Sequence, residues 1–255
     1  MKSLKIVCFI IVFGIIFNSC GGTSYHKEKL TEELQSLVKK ELKMNSQAFI
    51  VGNTIYLDIE LSGIAKKQDE MKYSFELINE AFSIMTRVVL SSDSDVKFAV
   101  VNAYPKDKSI VFRIIENIDD VKNYYYLRIS KNDFTNRSII EIDGPQNAKF
   151  SIEDRHDISI DEFAGRLIAS YIMSDIRSNP LFAAAVSNIN LRFLQVENKT
   201  LYLSANTDII SEAREVLKLS LRQEASNFLK KYETADIRLI KVIGNGKKPI
   251  LDLFL

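Results

Sequence analysis

The chain of 255 residues carries 34 Lys and Arg against 33 Asp and Glu, is 46% hydrophobic, and holds 9 Gly, 4 Pro and no Trp. That composition excludes a disordered or collagen-like chain and leaves enough apolar residues for a sizeable core. Lys2 and Lys5 fall within the first nineteen residues, which contain no acid, so 32 basic and 33 acidic side chains remain beyond them. So even a balance argues against nucleic acid as the main partner, because phosphate binding rests on concentrated Lys and Arg.

The first element in chain order reads as an export signal. Met1-Lys2-Ser3-Leu4-Lys5 is basic, and Ile6 to Phe17 is an apolar run interrupted only by Gly14. That run has about the length of a signal-peptide core and falls short of the roughly 20 residues of a membrane span. Phe17-Asn18-Ser19-Cys20-Gly21-Gly22 follows, a cysteine with a small residue before it and two glycines behind it. This stretch resembles the lipobox of bacterial lipoproteins. Phe17 and Asn18 stand where that pattern most often has Leu and a small residue, and the looseness, with an Ile-, Lys- and Asn-rich composition, is similar to spirochaetal lipoproteins. The resemblance implies a diacylglycerol on the Cys20 sulfur, cleavage just before it and acylation of the new amino group. The residues by themselves also fit an uncleaved anchor, or an ordinary secretory signal with Cys20 a bystander. Cys8 lies inside the segment to be removed, so beyond Cys20 no cysteine remains for a disulfide, a zinc site or a thiol nucleophile.

The expected organisation is a signal peptide over 1–19, a lipidated tether over 20–28, a first α+β unit with a bridging hairpin over 29–148 and a second over 149–255. In the first unit, Leu30, Leu34, Leu37, Val38 and Leu42 predict an amphipathic helix over about Lys29 to Lys43. From Ala48 the period becomes two, with Ile55, Leu57, Ile59 and Leu61 alternating beyond a Gly52-Asn53 turn, which predicts a hairpin. Met71 to Leu90 carries Phe75, Ile78, Phe82, Met85 and Val89 at helical spacing and widens to a deeply buried helix. Two strands follow, around Val96 to Val100 and Ile110 to Ile114, broken by Tyr104-Pro105-Lys106-Asp107. Tyr124 to Ile129 and Ser138 to Ile142 read as a further hairpin, closed by Asp143-Gly144-Pro145.

The same order then repeats. Ser159 and Glu162 form a capping-box pattern opening a helix with Phe163, Leu167, Ile168, Tyr171 and Ile172 on one side, stopped by Asn179-Pro180. After Leu181 to Ser187, Leu191 to Val196 and Thr200 to Ala205 predict a hairpin around Glu197-Asn198-Lys199. Thr207 to Tyr232 is a long helix using Ile210, Ala213, Leu217, Leu221 and Phe228, and strands follow near Asp236 to Ile243 and Ile250 to Leu255. Thr54-Ile55-Tyr56-Leu57 and Thr200-Leu201-Tyr202-Leu203 fall at equivalent points of the two units. The fold class is therefore α+β: two tandem, diverged α-β-β-α-β-β units with mainly antiparallel sheets packed on helices. This order resembles that of BON-type domains, small envelope modules linked to membrane binding.

Chemistry is sparse. Glu153-Asp154-Arg155-His156-Asp157 is the only place where a histidine meets several carboxylates, with His156 as a base oriented by Asp154 or Asp157, and it reads better as a surface loop ahead of a helix. Asp58 and Glu60 share one strand face as a carboxylate pair, and a solvated face is the expectation. His26 sits in the tether, so no multi-histidine metal site assembles, and no metal or cofactor is expected. Gly244-Asn245-Gly246-Lys247-Lys248 suits either an anion or a hairpin turn. Tyr124, Tyr125 and Tyr126 form the densest aromatic cluster. Tyr124, Tyr126, Lys247 and Lys248 are the weak candidates for an interaction surface, beside Cys20 as the lipid site. The leading expectation is a non-enzymatic envelope lipoprotein, anchored by Cys20, that binds another envelope or extracellular protein through a sheet edge such as the final strand. A carrier of lipid or another apolar ligand is the alternative, and an enzyme using His156 a third reading. The outer membrane is the expected location, with its surface and periplasmic faces both open.

Overall fold

The computed structural model describes residues 25–61, 68–144, 152–178, 191–206, 211–232, 235–244 and 249–255. After a short turn at Lys27–Lys29, helix α1 (Leu30–Leu42) buries Leu30, Leu34 and Val38, one turn apart, and ends where Lys43 turns left-handed. Strands β1 (Ser46–Val51) and β2 (Thr54–Leu61) form the expected hairpin, and helix α2 (Gln68–Leu90) leads to β3 (Phe98–Pro105) and β4 (Val111–Asn117). Helices α3 (Ile118–Tyr125) and α4 (Lys131–Thr135) precede β5 (Ile139–Asp143). The second unit runs α5 (Ile160–Ser178), β6 (Leu191–Glu197), β7 (Thr200–Ala205), α6 (Ser211–Lys231), β8 (Leu239–Ile243) and β9 (Pro249–Phe254). Leu181 to Ser187, like the side chains of Ile210 and Ala213, lies outside the described residues.

Two sheets result, in the orders β1-β2-β3-β4-β5 and β6-β7-β8-β9. Each hairpin is antiparallel, but β2 runs parallel to β3 and β7 to β8, as a helical crossover between strands of one sheet permits. The two units correspond at the turn that opens each parallel pair. The carbonyl of Asn53 accepts from Lys97 N and Phe98 N at 2.8 and 3.2 Å, and that of Lys199 accepts from Arg238 N and Leu239 N at 2.8 and 3.3 Å. Thr54 stands opposite Phe98 as Thr200 stands opposite Leu239. The α-ββ-α-ββ order is thus carried by geometry as well as by sequence.

Ile55, Leu57 and Ile59 on one face of the first sheet pack with α1 and α2. The opposite face brings Tyr56, Phe98, Val100, Ile115 and Ile139 into a second core, shared with Phe163, Leu167 and Ile168 of α5 and with Leu201, Leu203, Ile240, Val242 and Leu253 of the second sheet. Helix α5 therefore lies between the sheets. Phe163 reaches Phe98 at 5.4 Å and Tyr232 at 5.7 Å between ring centres. Gly165 lets α5 approach the second sheet, since a Cβ there would lie 2.9 Å from Leu201 and 3.0 Å from Phe193.

Two expectations are corrected. Tyr124 to Ile129 is no strand: Asn117 caps α3 by accepting from Asp119 N and Asp120 N, and the two acids of the first turn favour a helix despite the aromatic run. Asp58 is not on a solvated face but is 1% exposed, because the connection ahead of α5 covers β2; only Glu60 faces water.

Candidate functional site

Strand β5 is one edge of the first sheet and β6 one edge of the second, and between them lies an open cleft of about 1320 Å³. Its floor is α5, through Glu162, Arg166, Ala169, Ser170, Met173 and Ser174, and its walls are Ile139 to Asp143 and Leu191 to Val196. Leu194 stands at the rim, about half exposed, while Ile140 and Ile142 of the β5 edge, also about half exposed, stand opposite Ile114 and Phe112 on the sheet face that packs with α1 and α2. The pairing of β6 with β7 shifts register between Phe193 and Gln195, which leaves Leu194 outside the ladder.

A row of polar residues crosses the first sheet toward this cleft: Asp58, Asn102, Arg113 and Glu141 stand opposite one another on β2 to β5. Asn102 Nδ2 donates to Asp58 Oδ1 at 2.8 Å, and Arg113 Nε donates to Asn102 Oδ1 at 2.9 Å. Arg155 donates to the other Asp58 oxygen and lays its guanidinium 4.0 Å from the Phe49 ring centre. Asp58 is thus paired with Arg155, the condition for burying its charge.

The row meets a second chain of contacts on the cleft floor. Arg166 donates to Glu141 at 2.7 Å and to Glu162 at 2.9 Å, Glu162 lies 2.8 Å from His156 Nε2, and Asp154 lies 3.1 Å from His156 Nδ1. The Glu162 carboxylate beside His156 raises the pKa of the imidazole against the effect of burial. Burial opposes ionisation of Glu162, yet His156 and Arg166 hold its carboxyl below the ordinary value. Both ring nitrogens of His156 are engaged. Asp157 does not orient the ring: it accepts from Asn53 N at 2.8 Å and Thr54 Oγ1 at 3.3 Å, while Tyr56 Oη donates to the His156 carbonyl at 2.6 Å. The segment read as a surface loop is pinned to β2 because its carboxylates and backbone satisfy the polar face of that strand. Gly52, at φ 58, is required there, since a Cβ would lie 2.2 Å from the Asp157 carboxyl carbon.

The other candidates fall elsewhere. Tyr124 stacks on Phe134 at 4.7 Å, and Tyr126 is 69% exposed with Arg128 5.4 Å from its ring centre. His26 meets Asp93 at 3.2 Å on the surface. Cys20, Lys247 and Lys248 lie outside the described residues. Among the described residues no three His, Cys, Asp or Glu side chains are grouped to hold a metal ion, and no helix is long and apolar enough to cross a membrane. Sequence reasoning missed Glu141, Arg166 and Leu194. The one signal for the pair on α5 was Arg166 four residues after Glu162, the spacing of a helical ion pair.

The fold and cleft define a two-sheet α+β protein with a groove between two strand edges that are unpaired among the described residues. Comparison with protein-family models, with curated proteins and with solved structures finds no match.

Proposed function

We propose that the chain is a bacterial envelope lipoprotein, held at the outer membrane through lipid on Cys20, whose non-enzymatic domain binds an extended segment of another envelope or extracellular protein. The observation that carries the binding role is the pair of strand edges facing one cleft. Within the described sheets β5 pairs only with β4, and β6 only with β7, so each offers a row of main-chain donors and acceptors to an added strand. The charges on the floor are matched internally, so affinity comes from main-chain pairing, from Leu194 at the rim and from Ile140 and Ile142 on the outer side of the β5 edge.

The test is to titrate the full-length protein with a library of extended peptides and to follow backbone hydrogen exchange. Binding should slow exchange in β5 or β6, and Ser170→Trp, which fills the floor from an exposed position, should weaken it at least tenfold. Protection confined to other elements refutes the groove. A second reading, a carrier of lipid or another apolar ligand, is favoured by the cleft's volume, which exceeds the usual range of small-ligand pockets. Native mass spectrometry of membrane-extracted protein separates the two, since a carrier retains ligand mass. For the anchor, the mature protein should carry acyl mass that Cys20→Ala abolishes.

A further inference from the structure

The turn after α3 is built against its own stability. Arg128 N donates to the Asn123 carbonyl at 2.8 Å and Leu127 N to that of Tyr124 at 3.0 Å, the paired bonds of a Schellman helix end. The left-handed position of that motif is normally glycine, and here it holds Leu127 at φ 57. A leucine is strained in this conformation because its Cβ crowds the following carbonyl. It is also 88% exposed, so no packing offsets the strain. Tyr125 and Tyr126 beside it are 56% and 69% exposed, and the stack of Tyr124 on Phe134 fixes the base. Three large side chains are thus held outward beside the Tyr124–Phe134 stack.

Two cations, Arg128 and Lys131, stand next to the turn, and its helix starts at the end of the first sheet where Tyr25 lies. Of the acids around the turn, Asp119 meets Lys122 at 3.1 Å, Asp120 meets Arg137 at 2.6 Å and Asp133 lies 3.9 Å from Lys231, which leaves Arg128 and Lys131 beside the exposed tyrosines. Ile118 N, at the start of α3, donates to Lys97 at the mouth of β3, and Tyr25 exchanges backbone bonds with Ser91 and Asp93 just before that strand. Helix α3 therefore starts at the end of the first sheet where Tyr25 lies, and Leu127 is within about 14 Å of that start. Only four residues separate Cys20 from Tyr25, a reach of no more than about 18 Å.

We propose that Tyr125, Tyr126 and Leu127 enter the interfacial layer of the membrane that holds the chain, with Arg128 and Lys131 on headgroup phosphates, an inference that rests on the anchored reading of Cys20. Three side chains cannot supply the roughly 800 Å² per partner of a stable protein interface. Exposed Tyr and Leu flanked by cations are instead the chemistry of a bilayer interface.

The chain contains no Trp, so Leu127→Trp creates a single fluorescent probe. The full-length protein is reconstituted into vesicles of phosphatidylcholine and phosphatidylglycerol in equal parts, with and without brominated acyl chains, and the mass at Cys20 is read from the same sample. Emission from Leu127→Trp should shift to the blue and be quenched at least twofold by brominated lipid. Tyr126→Trp, which leaves the strained position alone, should behave alike, and Leu219→Trp, at a 67% exposed site on α6, should not respond. No quenching at 126 and 127, or equal quenching at 219, overturns the inference. Acylated Cys20 with unquenched probes defeats the inference and leaves the anchor standing, whereas quenched probes on a chain without acyl mass defeat the anchor alone.

Discussion

Asp58 and Ser204 occupy the same place in the two units, four residues beyond the threonine that opens each parallel pair, yet Asp58 is sealed from water and Ser204 is half-buried. The cause is α5. It packs on the first sheet on the side that α1 and α2 leave open, and on the second on the side that is packed among the described residues. Each sheet carries a polar row across its strands: Asp58, Asn102 and Arg113 in the first, Tyr202, Lys241 and Asp252 in the second. The first row must satisfy itself, whereas the second has water for a partner. One topology thus supports two electrostatic regimes, and what decides between them is the layer on top.

The sharpest way to break the comparison is to remove what the sheets share. Phe163→Ala, at a fully buried site, should cost about 3–5 kcal/mol, and both units should unfold in one denaturant transition; two separated transitions would show that the shared core does not couple them. Asp58→Ala should cost about 3 kcal/mol because it strands Arg155 and Asn102 beside a buried gap, while Ser204→Ala should stay within about 0.5 kcal/mol. Equal costs, measured by urea unfolding, would contradict the layer argument. Glu116 stands opposite Ala99 where the second unit has Leu253 opposite Ile240. Burial raises its pKa to about 8 from 4.5. The folded protein therefore keeps a proton that the unfolded chain loses, so stability falls as pH rises from about 4.5 to about 8. Glu116→Gln should flatten that fall and gain on the order of 2 kcal/mol at pH 8; parallel stability curves for the two proteins would refute it. The smallest effect belongs to the open face. Phe254→Ser, at a 73% exposed position, should leave Tm unchanged in a thermal scan, within about 0.5 kcal/mol.

Much of the architecture was legible because its signals are local. Ile55, Leu57 and Ile59 announce a strand, Gly52-Asn53 and Asn198-Lys199 announce tight hairpins, and the order of elements repeats. What escaped depends on residues far apart in sequence. A period of two shows that β2 has two faces but not that a segment about a hundred residues later covers the second, so Asp58 looked solvated. The tyrosines suggested a strand, and the cap at Asn117, seven residues earlier, decided for a helix. The cleft was invisible for the same reason: Glu141 and Arg166 are ordinary residues until a sheet edge and a helix meet.

The position of α5 also sets an order in time. The first sheet has all its strands by Asp143, but Phe163, Leu167 and Ile172, which close its inner face, come about twenty to thirty residues later. Until those residues follow, that face, with Tyr56, Phe98 and Ile115, stays bare. The first unit therefore cannot finish until the second has begun, and any factor that guards the emerging chain meets the inner face of the first sheet before it meets anything of the second.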